Sequence, residues 1–113
     1  MTKIPHPGSP VRGSSSGVPI MAAFDLLGRR WAMRILWEIA KGPCSFRELQ
    51  ERCGQMSPTS LNLRLKEMRA SKIVNQEAHL GYRLTELGEE LNQALEPLRT
   101  WSEKWAAFSA NDR

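Results

Sequence analysis

The chain has 113 residues, 41% of them hydrophobic and 25% charged, with a formal net charge of +4. That length suits one ordinary domain and excludes two, and the composition excludes a disordered polymer. No apolar run approaches the ~20 residues of a membrane span and the first thirty residues lack a signal-peptide core, so a cytoplasmic protein with no membrane partner is expected.

Residues 1–19, MTKIPHPGSPVRGSSSGVP, hold four of the seven prolines and a Ser-Gly run. Such a stretch buries too little apolar surface to offset its chain entropy, so a disordered arm is expected, with Lys3 and Arg12 its only basic residues. From Ile20 the pattern turns helical. Ile20, Ala23, Phe24 and Leu27 recur at helical spacing until Gly28. RRWAMRILWEIAKGP follows, with Trp31, Ile35, Leu36 and Ile39 on one side and Met33 and Trp37 elsewhere. A helix apolar around most of its circumference belongs in the middle of a domain. Ser45 and Glu48 have capping-box spacing for a short third helix, SFRELQERC. Ser57 as N-cap and Pro58 at the first helical position open a fourth, running to about Ser71.

The period then changes. Ile73–Glu77 and Tyr82–Leu84 read as two short strands joined by a turn at 78–81. A last helix runs from about 85 to 108, in which Leu87, Leu91, Ala94, Leu98, Trp101, Trp105 and Phe108 make a heptad seam. It is longer than the body it leaves, and Pro97 is expected to kink it. The whole is mainly α with a small β-hairpin: a winged helix-turn-helix domain at 20–110 that includes a long C-terminal dimerisation helix.

The helix at 57–71 has two faces. Leu61, Leu65 and Met68 fall on one side; Thr59, Leu63, Lys66 and Ala70 fall opposite, with Ser60, Asn62, Glu67 and Arg69 on the flanks. An isolated polar helix face usually meets only water. Here it follows another helix after a four-residue, Gly-containing turn and precedes a hairpin, the order of a winged helix. In that motif the second helix enters the major groove and presents its N-terminal residues to base edges. Ser57, Thr59, Ser60, Asn62, Leu63 and Lys66 are the candidate groove contacts: hydroxyl, amide and ammonium groups suit base edges, and a leucine suits a thymine methyl. Arg47, Arg64, His79 and Arg83 are candidate phosphate contacts. For Arg64 a structural pair with Glu48 or Glu51 competes with that role. The bare aromatic end of the last helix marks an interface, so Leu91, Leu98, Trp101, Trp105 and Phe108 are candidate contacts in a homodimer.

No nucleophile–base pair and no metal-ligand spacing is present, so no enzyme activity, metal or cofactor is expected. Cys44 and Cys53 read as free thiols in a reducing compartment. The partners expected are double-stranded DNA and a second copy of the chain; nothing in the sequence identifies a small-molecule effector. A rival of another class is a winged helix acting purely as a protein-interaction module through its tryptophan-rich helix.

FDLLGRRWAMRILWEI, GPCSFRELQE, MSPTSLNLRLKEM, YRLTELG and the Trp101/Trp105 pair together resemble the HxlR-type family of bacterial winged-helix transcription regulators, over about Val18 to Trp105. The resemblance implies a homodimer paired through first and last helices, which adds Ile20 and Phe24 to the candidate dimer contacts, sequence-specific DNA binding by the helix at 57–71, and regulation of nearby genes. Three departures stand out. Val18-Pro19 replaces the Cys-Pro that some members use to sense reactive species, the hairpin is shorter than the family's, and Leu63 stands where a polar residue is common.

Overall fold

The computed structural model describes residues 4–9 and 17–111. The elements run α1 Pro19–Leu27, α2 Ala32–Ala40, α3 Phe46–Arg52, α4 Pro58–Ala70, β1 Val74–Glu77, β2 Gly81–Leu84 and α5 Glu86–Asn111. Every element expected from the sequence is present, with ends moved by up to three residues. Of the expected arm, residues 1–3 and 10–16 lie outside the described residues. Pro5 is buried and α1 already begins at Pro19.

Local chemistry explains most boundaries. Ser45 and Glu48 form the reciprocal capping box, with Glu48 N–H donating to Ser45 Oγ at 3.1 Å and Ser45 N–H to Glu48 Oε1 at 2.9 Å. Those bonds to the carboxylate hold the Glu48 acid below its ordinary pKa. At α4 the Ser60 N–H donates to Ser57 Oγ at 3.3 Å, and Pro58 occupies the first turn. The corner between α3 and α4 passes through Gly54 (φ 72°) and Gln55 (φ 62°), and the Gln50 side chain staples it by donating to the Met56 carbonyl at 3.0 Å.

Ile35, Leu36 and Ile39 of α2, Leu49 of α3, and Leu61, Leu65 and Met68 of α4 are almost wholly buried, and make the core with Val74. On α1 the buried residues are Ala22, Asp25 and Leu26, so the evenly spaced Ile20 and Phe24 face outward instead. Pro97 lies inside α5 without dividing it.

β1 and β2 pair antiparallel in the register Val74↔Leu84 to Glu77↔Gly81. The hairpin is fastened to the α2–α3 connection by one residue. Cys44 N–H donates to the Tyr82 carbonyl at 3.0 Å and Tyr82 N–H to the Cys44 carbonyl at 2.7 Å. That approach needs glycine at position 81, where φ is +80° and an added Cβ would lie 2.3 Å from the Cys44 carbonyl oxygen.

Cys44 and Cys53 are free and buried, and burial pushes both thiols above their ordinary pKa. Thiolate is the reactive form, so neither cysteine should alkylate with iodoacetamide at neutral pH in the folded protein, while both should in denaturant. Mass spectrometry of the two samples checks this, and modification of native protein would contradict the burial.

Glu38, also buried, sits between the Arg34 guanidinium at 2.8 Å and the Lys41 ammonium at 3.0 Å. Burial pushes its carboxyl up, but the hydrogen bonds and charges of Lys41 and Arg34 outweigh that and hold its pKa below the ordinary value. A depressed folded-state pKa contributes stability that is present above the unfolded value of about 4.3 and lost as pH falls through the folded one. Glu38→Gln should therefore flatten the acid limb of a stability–pH curve measured by denaturant unfolding, and an unchanged limb would count against this pairing.

Candidate nucleic-acid interface

With Leu61, Leu65 and Met68 inside, the opposite face of α4 is turned to solvent. Thr59, Asn62, Lys66 and Arg69 are all exposed, spaced three, four and three residues apart, which makes one stripe along the helix. Neither Lys66 nor Arg69 forms an ion pair among the described residues. Arg69 belongs to this stripe although the helical wheel set it on a flank. Ser57 is exposed, but its hydroxyl is engaged as the cap. Ser60 and Leu63 are half-buried, so neither stands fully on the outward face.

Arg64 differs from expectation. Its partners are not Glu48 or Glu51: Nη1 lies 2.5 Å from Glu67 Oε1, and Nε donates to the Arg30 carbonyl at 2.9 Å. The other Glu67 oxygen, Oε2, accepts from Arg29 Nη1. Arg29 in turn sits 3.7 Å from Asp25 in α1. Asp25, Arg29 and Glu67 are each more than nine-tenths buried. A chain of four charges thus ties α4 to α1 and the α1–α2 turn, and it fixes how the solvent face of α4 is presented. The sequence reading missed these positioning residues, because a buried charge carries the same letter as a surface one.

Arg47 on α3 is 89% exposed in its side chain and only 3.8 Å from Glu51, a pair that water largely screens. On the hairpin, Arg83 lies 3.3 Å from Glu77, and His79 is exposed in the turn beside Leu80. The hairpin tip therefore offers one imidazole and one leucine.

The candidate dimer residues divide. Ile20, Phe24, Leu98, Trp101, Trp105 and Phe108 are 49–69% exposed, while Leu91 packs against the core of its own chain. The Trp101 and Trp105 rings stack with centroids 5.3 Å apart. The half of α5 nearest the body is thus used at home and the far half is bare. Among the described residues no three His, Cys, Asp or Glu side chains gather to hold a metal ion, and no helix is long and apolar enough to cross a membrane.

Helices α3 and α4 joined at a tight corner, with α2 behind them and a two-stranded hairpin after them, define a winged helix-turn-helix domain. The model of the HxlR-like helix-turn-helix family matches residues 26–110. The HTH-type transcriptional regulator YodB of Bacillus subtilis is 31% identical over 90 residues, covering 74% of this chain and 80% of that protein. The crystal structure of quinone-bound YodB superposes with a TM-score of 0.69 at 33% identity, over 75% of this chain and 94% of YodB. A MarR-family regulator from Enterococcus faecalis V583 superposes with a TM-score of 0.72 at 26% identity, over 81% of this chain and 89% of the other. The chain belongs to the HxlR-like helix-turn-helix family of transcription regulators, a family of regulators and not of enzymes.

Proposed function

We propose that this regulator acts in the cytoplasm as a homodimer that reads a near-palindromic operator with α4. The observation that carries the reading is the exposed stripe of Thr59, Asn62, Lys66 and Arg69 on a helix whose other face is buried and pinned by ion pairs. The Asn62 amide and the Thr59 hydroxyl suit base edges, and the cations of Lys66 and Arg69 suit phosphates or guanine. Arg47 and Arg83 reach phosphate only by leaving weak exposed pairs. Arg64, held by Glu67 and the Arg30 carbonyl, acts chiefly in positioning. The bare halves of α1 and α5 pair the two copies, setting the two reading helices on half-sites ~34–36 Å apart.

The test is binding to the DNA upstream of the protein's own gene, with nonspecific competitor, at two salt concentrations. Selective binding with a steep salt dependence is expected. Lys66→Ala should weaken binding on all sequences and reduce the salt slope by about one. Asn62→Ala should instead relax preference at one base pair. Absence of selective binding by the folded dimer would favour the rival reading, a protein-interaction module working through the exposed tryptophans.

A further inference from the structure

Two arginines stand side by side in the α1–α2 turn and go opposite ways. Arg29 is 5% exposed and bonded to Glu67 of α4, whereas Arg30 is exposed. The turn ends at Trp31 with φ +75°, a left-handed conformation that a bulky side chain rarely adopts. Its backbone is held at two points. The Ala32 N–H donates to the Arg29 carbonyl at 3.0 Å, and Arg64 Nε of α4 donates to the Arg30 carbonyl at 2.9 Å. A rare conformation fixed in this way, next to a recognition helix, points to a use for the residue it turns outward.

Charge at this corner does not balance. Glu67 is engaged by Arg29 and Arg64, and Asp25 lies 3.7 Å from Arg29. No carboxylate among the described residues pairs with Arg30, whose guanidinium lies 5.9 Å from the centroid of the Trp31 ring. Three arginines thus meet two carboxylates, and the surplus charge is the one facing water.

Its place beside α4 decides what it can touch. At 100° per residue, Arg64 and Glu67 fall on the flank of α4 shared with Ser60 and Leu63, while Asn62 and Arg69 form the other edge. The Arg30 backbone, bonded to Arg64, lies beyond that first flank with its side chain in solvent. A helix with its side chains is about 10–12 Å across and the major groove about 12 Å wide, so a helix lying in the groove fills it. A group displaced past its flank meets the phosphate ridge instead of base edges.

We propose that Arg30 holds a backbone phosphate at the edge of the groove that α4 enters. The contact rests on the DNA reading proposed above and adds to it a sequence-independent grip from outside the helix-turn-helix. It also gives the ion pairs beneath α4 a second task. Glu67, with Arg29 and Arg64, ties the turn to α4, so the grip and the reading helix keep one spacing.

The test is a salt titration of wild type, Arg30→Gln and Arg30→Lys on two probes: the DNA upstream of the protein's own gene, and a mixed-sequence duplex of the same length. Circular dichroism and a melting curve establish that each variant folds. Arg30→Gln should lower the salt slope by about one for each half-site engaged, on both probes, and leave the ratio of the two affinities unchanged. Arg30→Lys, which keeps the charge, should keep the wild-type slope. An unchanged slope in Arg30→Gln overturns the proposal, and so does a changed affinity ratio at constant slope, which would make Arg30 a base contact. An equal drop in Arg30→Lys assigns the loss to the shape of the turn and overturns it too. If wild type does not prefer the upstream DNA but Arg30→Gln still lowers the slope on the mixed-sequence duplex, the phosphate contact stands and the operator reading falls. Binding to neither probe overturns both.

Discussion

Glu67→Leu should destabilise the protein by about 3–5 kcal/mol, toward the lower end because Asp25 remains beside Arg29. Glu67 is one of the most buried charges in the fold, and its two oxygens serve two different arginines. Leucine fills much of the space but leaves the Arg29 guanidinium desolvated without its main counter-charge. The cost comes from that stranded cation rather than from the lost attraction alone. Arg29→Met combined with Glu67→Leu should recover only part of the stability, since it takes Arg29 from beside the buried Asp25 carboxylate, whereas adding Asp25→Leu, which removes all three buried charges, should recover most of it. Urea unfolding decides the matter: the midpoint should fall in the single variant, recover in part in the double and return in the triple, with the slope unchanged throughout. A loss below about 1 kcal/mol in Glu67→Leu would mean that water reaches Arg29.

Trp105→Asp should leave the fold intact and abolish dimerisation. Trp105 is 59% exposed in the single chain, so the substitution removes little of that chain's own packing. In a twofold interface the same change occurs twice, placing a desolvated carboxylate on each side of an apolar seam. Affinity for a two-half-site operator should drop by at least about a hundredfold, because the second helix no longer binds at a raised effective concentration. Sedimentation equilibrium and operator titration on one preparation check both parts. A variant that remains a dimer would place the interface away from the end of α5.

The helix starts, the hairpin and the heptad seam were legible because each rests on local chemistry: a hydroxyl before a proline at 57–58, a capping box at 45–48, a period change after Ser71. Leu61, Leu65 and Met68 were rightly placed in the core by their spacing alone. What was not legible depends on chain segments far apart in sequence. Arg29 meets Glu67 across 38 residues, and nothing near either residue marks the pair. The same holds for Arg64, whose partners lie one turn along its own helix and in the α1–α2 turn rather than on α3. Ile20 and Phe24 mark an apolar side of α1, but periodicity could not tell that α1 turns Ala22 and Leu26 inward instead. Arg69 was set aside because the wheel puts it on a flank, nearer the buried side than Thr59 or Lys66, and only the packing around α4 shows that flank exposed while Leu63 is half-buried.

Thr85 fastens the start of α5 to the end of α4. Its hydroxyl accepts from the Gly88 N–H at 3.0 Å at the start of α5 and reaches the carbonyls that follow α4. Close by, an added Cβ on Gly88 would lie 2.2 Å from the Ile73 carbonyl oxygen, so α5 meets the segment between α4 and β1 with no slack. The angle at which α5 departs is thereby locked to the end of α4. With α4 reading DNA and the aromatic end of α5 pairing the copies, as proposed above, half-site spacing would have little freedom to drift at this joint. It would change through substitutions at the far aromatic end and base preference through those at the start of α4, so that one could be altered without spoiling the other.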